Sequence, residues 1–306
     1  MTAYDAKTGK LLWGHSLDFE VKAPLVARKH VLIAAGREGG LVALDCTKIQ
    51  PSRIWKRETG APIAGAASLA GDLVLVGGDD WMLRAFDLKT GSPVWTYRAE
   101  GPIRGTPSIR DDVVYAGDDG GVLHAVMLSD GKAKWTSQVG GRIRCAPAVE
   151  GEIVVTTEPS DHPASVVRMD LEGRIVRRWT VAEKTISSPS VADGVVYYSA
   201  GSTLYADERP LLSAGDTIKS TPVLSGPRVY VGSDDHRMIC ADRATGEIQY
   251  EVKAEWYVPA APALRGGRAY FADNQRRLYC VEDLGGDEWP QFGGGPERGG
   301  YNRKGD

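Results

Sequence analysis

The sequence predicts an all-β fold: a seven-bladed β-propeller of four-stranded antiparallel blades, with the ring closed by the N-terminal strand. Three observations carry this. A phrase of about 40 residues recurs along the chain, and its fullest copy covers residues 103–135. It runs through a β-branched residue, small residues, Pro, an apolar pair, a Gly or Asp turn and a Val/Tyr run. A Gly-Asp-Asp-Gly turn, an apolar run, a Thr-Gly-Lys-like turn and a Trp complete it. The Pro recurs at Pro24, Pro107, Pro147, Pro189, Pro222 and Pro262, with Ala67 in place of the second. A fixed period of that length holding four short strands marks a propeller rather than a helical solenoid. No segment sustains a 3.6-residue apolar period, so almost no helix is expected.

In the first copy the strands are expected near 21–27, 30–35, 41–45 and 53–58. β-branched and aromatic runs such as Val113-Val114-Tyr115 and Val195-Val196-Tyr197-Tyr198 suit strands, and Gly, Asp and Asn suit the turns between them. Trp13, Trp55, Trp95, Trp135 and Trp179 close successive copies, and Tyr250 replaces Trp later. One large aromatic per blade is what docking between neighbouring sheets requires. Copy four has an enlarged turn over residues 158–165. Copy five is short: its last strand shrinks to about 209–212 without Trp, and its turn lacks the usual acids.

Residues 2–13 are the close of a phrase without an opening, and residues 258–283 are an opening without a close. Joined, they make seven blades and remove the exposed sheet edge. An eighth, partly built blade is the alternative, because Tyr4-Asp5 resembles a third strand and residues 288–292 a fourth. The expected organisation is one propeller domain over 1–288 and a tail over 289–306.

With 306 residues, 42% of them hydrophobic, the chain can bury a sizeable core. A net charge of −3 argues against a nucleic-acid partner, which usually demands a basic excess. Residues 1–20 lack the apolar run of a signal peptide, and no stretch approaches the ~18 apolar residues of a membrane span. Cys46, Cys145, Cys240 and Cys280 are scattered, which disfavours a disulfide framework or a zinc site. As written the chain reads as cytoplasmic and monomeric; a removed leader would make it periplasmic or extracellular.

Residues 3–13, 86–91 with Trp95, and 241–247 carry the Asp-x-x-Thr-Gly phrase. In these residues the chain resembles the PQQ-like (quinoprotein-type) repeat propellers. The resemblance spans residues 2–283. The tail, from Trp289 to Tyr301, resembles a phrase that usually precedes the first blade in that family, so the chain looks shifted in phase. The family's dehydrogenases hold pyrroloquinoline quinone and calcium against an adjacent cysteine pair. The absence of Cys-Cys disfavours that cofactor, and no cofactor is expected. The chain looks nearer to the binding-platform members: BamB, the lipoprotein of the outer-membrane β-barrel assembly machinery, and the propellers attached to bacterial Ser/Thr kinases.

Candidate site residues lie in the turns around one mouth of the central funnel. Arg104, Arg144 and Lys219 stand three residues before the marker Pro of their copies, Lys22 stands two before, and Arg142 and Lys184 lie close by. Equivalent positions on a ring converge, and convergent cations attract an anion such as a carboxylate or phosphate. Pairing with turn acids is the alternative for these cations. Asp79-Asp80, Asp118-Asp119, Asp234-Asp235 and Asp273 recur at one turn. They read first as turn residues, and secondly as calcium ligands or as acid and base. Asp161-His162 and Asp235-His236 are the weak catalytic candidates. His124, and Cys240 with Cys280, read as packing. Trp256 and Tyr257 sit outside the docking series. They either bind a ring, sugar or peptide or cover the junction to the last blade.

The favoured reading is a noncatalytic binding module for a protein segment or a small anionic ligand at the funnel mouth. The alternatives are a lyase or hydrolase acting on an acidic substrate in the same funnel, and a quinone-dependent oxidoreductase.

Overall fold

The computed structural model describes residues 1–282 apart from Lys22, Asp161, residues 184–186 and Arg276. The expected tail over 289–306, and the possible strand at 288–292, lie outside the described residues. No helix forms among the described residues, and the chain is a seven-bladed propeller. Blades 1–6 span residues 26–58, 68–98, 108–138, 148–180, 190–213 and 223–253, each a four-stranded antiparallel meander. Blade 7, residues 263–282, has three strands among the described residues. Thr2–Tyr4 and Leu11–Gly14 form a further two-stranded sheet. The Tyr270 hydroxyl in blade 7 donates to the Ala6 carbonyl at 3.1 Å, a side-chain link between blade 7 and the N-terminal segment, whose two strands pair with each other and not with blade 7 among the described residues.

The innermost strands are short, three residues each in blades 1, 2 and 3. In blade 3 the inner strand Ser108–Arg110 starts immediately after Pro107. In blade 1 it covers only Val26–Arg28 instead of the expected 21–27. Pro has no N–H for the ladder and suits this boundary, but blade 2, with Ala67 at the marker, starts its inner strand at Ser68 in the same way.

Six apolar cores lie between consecutive blades. Between blades 1 and 2, Ile33, Leu41, Ala43 and Trp55 pack on Ile63, Leu69, Val74 and Val76. The same interleaving recurs at each later junction. The other face of blade 1, with Ala34, Val42 and Leu44, is covered by Met1, Leu17, Phe19 and Val21.

The closing Trp residues make the joints between blades. Trp55, Trp95 and Trp135 donate from Nε1 to the carbonyls of Leu88, Leu128 and Leu171 in the following blade, at 2.9, 2.8 and 3.0 Å. Each ring also lies on a turn glycine of that blade. A Cβ on Gly91, Gly131 or Gly173 would meet the ring at 2.5–2.7 Å, and all three have positive φ. These glycines therefore serve the turn and the joint together. Blade 5 is the exception. Trp179 donates instead to the Tyr198 hydroxyl at 3.1 Å, and Leu211, buried in place of the missing Trp, packs at Gly246 of blade 6.

The Asp-x-x-Thr-Gly turns are tied by their Asp. The Thr8 and Thr90 hydroxyls, with backbone N–H groups, hold the Asp5 and Asp87 carboxyls below the usual range. The Thr245 and Ala244 N–H groups do the same for Asp242. A depressed folded-state pKa contributes stability above the unfolded carboxylate value, and that contribution is lost as pH falls. The urea midpoint is thus expected to fall below about pH 4. An Asp87→Asn, Asp242→Asn variant should show a flatter decline, and an unchanged slope would remove these turns from the account.

Candidate binding face

The connections between blades and the second-to-third strand turns lie on one face, because hydrogen bonds clamp them together. Each turn is held between the lead-in to its own blade and the lead-in to the next. Asp119 N–H donates to Pro102 at 3.0 Å, and Ile143 N–H donates to Asp118 at 3.0 Å. In blade 2, Asp79 N–H donates to Pro62 and Ile103 N–H to Gly78, at 3.0 and 3.1 Å. Neighbouring lead-ins touch through glycine: a Cβ on Gly65 would meet the Gly105 backbone at 2.7 Å, and one on Gly105 the Cys145 carbonyl at 2.3 Å.

This geometry places the lead-in cations Arg104 and Arg144 each between two turn acids. Arg104 donates from Nε and Nη2 to Asp79 at 2.8 and 3.2 Å, and from Nη1 to Asp119 at 2.6 Å. Arg144 grips Asp119 from Nε and Nη2 at 2.9 and 2.8 Å and reaches Glu158 from Nη1 at 3.1 Å. The result is a continuous ladder, Asp79–Arg104–Asp119–Arg144–Glu158, across blades 2–4. Hydrogen bonding to Asp79 raises the Arg104 pKa, and hydrogen bonding to Asp119 raises that of Arg144. Both guanidiniums are occupied bidentately, so these cations brace the face instead of presenting free charge to an anion.

Blade 5 interrupts the ladder. Its turn has no acid, so Lys219, leading into blade 6, pairs among the described residues with Asp234 alone, at 2.5 Å. Its side chain is 44% exposed, against 34% and 31% for Arg104 and Arg144. Its ammonium sits 5.7 Å from the Tyr257 ring centroid. Next to it, Trp256 (45% exposed) and Tyr257 (37%) project from the lead-in to blade 7. That lead-in is itself clamped: Val258 N–H donates to Ser233 and Asn274 N–H to Tyr257. His236, in the blade 6 turn at φ 69°, stacks on Trp256 at 6.4 Å between centroids. Of the two sequence readings of Trp256 and Tyr257, neither is excluded by this, since the pair spans the junction and still faces solvent.

The other candidates separate. Arg142 is exposed and its backbone bridges Glu158, one residue pair away from the ladder. His162 is exposed and lies against Gly140, where an added Cβ would stand 3.1 Å from its ring. His236 lies in the blade 6 turn against Trp256, so the two histidines have different immediate neighbours. Asp235 is not free to act as a base. Burial works against its charge, but Arg237 and the Gly215 N–H hold its carboxyl below the usual range. Lys22, Lys184 and Asp161 lie outside the described residues.

The PQQ_2 family, described as outer membrane protein assembly factor BamB, matches residues 47–203 and 209–296. The chain belongs to this PQQ-repeat family. Among solved structures it resembles BamB from Moraxella catarrhalis, with 18% identity and a TM-score of 0.75 over 90% of this chain and 89% of that one. It also resembles the computationally designed Ika8 protein, with 16% identity and a TM-score of 0.74 over 92% and 89%. A europium-containing methanol dehydrogenase shares 12% identity at a TM-score of 0.67 over 91% and 78%. No curated protein sequence matches. At these identities the likeness is one of fold.

No three His, Cys, Asp or Glu side chains converge as cation ligands among the described residues, and the four cysteines are separate free thiols. One PQQ-repeat position departs from simple packing. His124 is 1% exposed, accepts or donates at Nδ1 with the Tyr97 hydroxyl at 3.0 Å, and meets Asp118 Oδ2 from Nε2 at 3.0 Å. This chain ties the last strand of blade 2 to the turn that carries Asp119. In the sequence, His124 offered no signal beyond an unusual residue in an apolar run. Cys280 is exposed while Cys240, at the same repeat position, is buried, because an outer strand covers Cys240 and none among the described residues covers Cys280.

Proposed function

We propose that this PQQ-repeat propeller is a noncatalytic binding scaffold that docks a protein segment on the face formed by the lead-ins to blades 6 and 7. The observation that carries the reading is the adjacent pair Trp256 and Tyr257, 45% and 37% exposed on a hydrogen-bonded and therefore rigid segment. Rigid, part-exposed aromatics anchor protein segments at low entropic cost. The family description and the fold likeness to BamB support a protein partner over a small anion, and the saturated Arg104 and Arg144 do so independently. A solvent-facing platform built on a braced ring is suited to recognition. His162 lies against Gly140 and His236 against Trp256, an arrangement that lends no support to a shared acid–base role.

Peptides selected from a displayed random library on the immobilised protein supply the probe. Their affinity is expected to fall about tenfold or more in Trp256→Ala, Tyr257→Ala, and less than about twofold in Arg104→Gln. Selected peptides that bind the aromatic variant unchanged would place recognition elsewhere.

A further inference from the structure

We infer that the segment docked at Trp256 and Tyr257 is basic, with an Arg or Lys side chain seated on the free face of Trp256. This rests on the docking reading above and adds the chemistry of the partner.

Three features of the patch point the same way. The first is the behaviour of this molecule's own rings. Arg98 lies over Trp81 at 5.4 Å, Arg177 over Trp179 at 5.2 Å and Lys219 over Tyr257 at 5.7 Å. Trp81 and Tyr257, 41% and 37% exposed, each carry a cation on a solvent-facing ring, as the negative face of the π system favours. Trp256 has His236 on one side and remains 45% exposed. The second is an excess of acceptors. Around the patch stand five carboxylates, Asp216, Asp234, Asp235, Glu251 and Glu255, against the three cations Lys219, Arg237 and Arg277. The third is that the neighbouring cations are already engaged. Lys219 is held by Asp234, Arg237 by Asp235 and Glu251, and Arg277 by Glu255. Exposed Asp216 precedes the Thr217 whose carbonyl accepts the Asp234 N–H, and no cation pairs with it among the described ion pairs. Exposed aromatic faces and an excess of carboxylates are complementary to N–H donors and positive charge. An acidic segment would meet like charge here.

Arg should exceed Lys, because its planar guanidinium stacks on an indole while donating from its edge to carboxylate oxygens. The probes are four acetylated, amidated nonapeptides in a Gly/Ser background, with Arg-Arg, Lys-Lys, citrulline-citrulline or Glu-Glu at the centre. The readout is the Trp256 indole N–H resonance of the full chain, assigned through Trp256→Phe. The Arg peptide is expected to shift that resonance saturably. Citrulline, of the same shape without charge, should bind about tenfold more weakly, and the Glu peptide should not bind. Adding salt should weaken the Arg peptide. If citrulline matches Arg, the charge inference falls while the docking reading stands. If the Arg peptide binds without moving the Trp256 resonance, and its affinity survives Trp256→Ala, both fall. Val94→Ala, on the outer rim at 49% exposure, is the unaffected control.

Discussion

Replacing Trp55 by Ala is expected to destabilise the propeller by about 4 kcal/mol, near the upper end for a single core truncation. The ring is 6% exposed, fills the core between blades 1 and 2, and donates to the Leu88 carbonyl at 2.9 Å. Truncation removes the transfer term, leaves a cavity and strands a carbonyl. Trp55→Phe keeps most of the apolar body and should cost about 1–2 kcal/mol. Gly91→Ala should also destabilise, through its φ of +67° and a Cβ only 2.5 Å from the Trp55 ring. With the ring gone that collision vanishes, so the double variant should cost less than the two single variants together. Urea unfolding of the four proteins measures this. A loss under about 1 kcal/mol for Trp55→Ala would show that the ring is not the joint.

The second large effect is expected at Asp119. Its carboxylate is 12% exposed and is shared by Arg104 and Arg144. Asp119→Ala leaves two guanidiniums facing each other across the gap, a loss of about 2 kcal/mol at this partial burial. Asp119→Asn keeps the shape but not the charge and should recover only part of it. The cycle with Arg104→Gln separates bracing from simple pairing. If the ladder acts as a unit, removing Arg104 as well relieves the repulsion, and the double variant is less damaged than additivity requires. Independent effects, additive within about 0.5 kcal/mol, would reduce the ladder to separate surface pairs.

Much of the fold was legible because a blade is a local object. Pro107 marks the start of its inner strand, Trp95 and Gly131 identify a joint, and both are read from one window of the sequence. The candidate site was only half legible. Arg104 and Arg144 were visible as a series, and so were Asp79 and Asp119. Their pairing depends on which connections share a face and on hydrogen bonds that clamp each turn between two lead-ins. Asp79 and Arg104 belong to different blades, so no single copy of the phrase contains the pair. The short turn of blade 5 was visible as an irregularity, but its effect, leaving Lys219 with a single acid among the described residues, appears only once the neighbours are known. His124 was obscured by the opposite problem. Its apolar neighbours disguise a polar bridge whose partners come from blade 2 and from its own turn.

The joints also bear on how such a ring is assembled and inherited. Wherever a blade offers a closing Trp and receives one on a turn glycine, donor and acceptor sides are interchangeable from unit to unit. Such a unit can be duplicated, lost or moved by recombination and still meet compatible neighbours. Blades 4 and 5 do not share that freedom. Trp179 seeks the Tyr198 hydroxyl, and blade 5 presents Leu211 to blade 6 where the others present indole. The two are matched to each other, and a rearrangement that keeps the ring stable has to carry them as a pair.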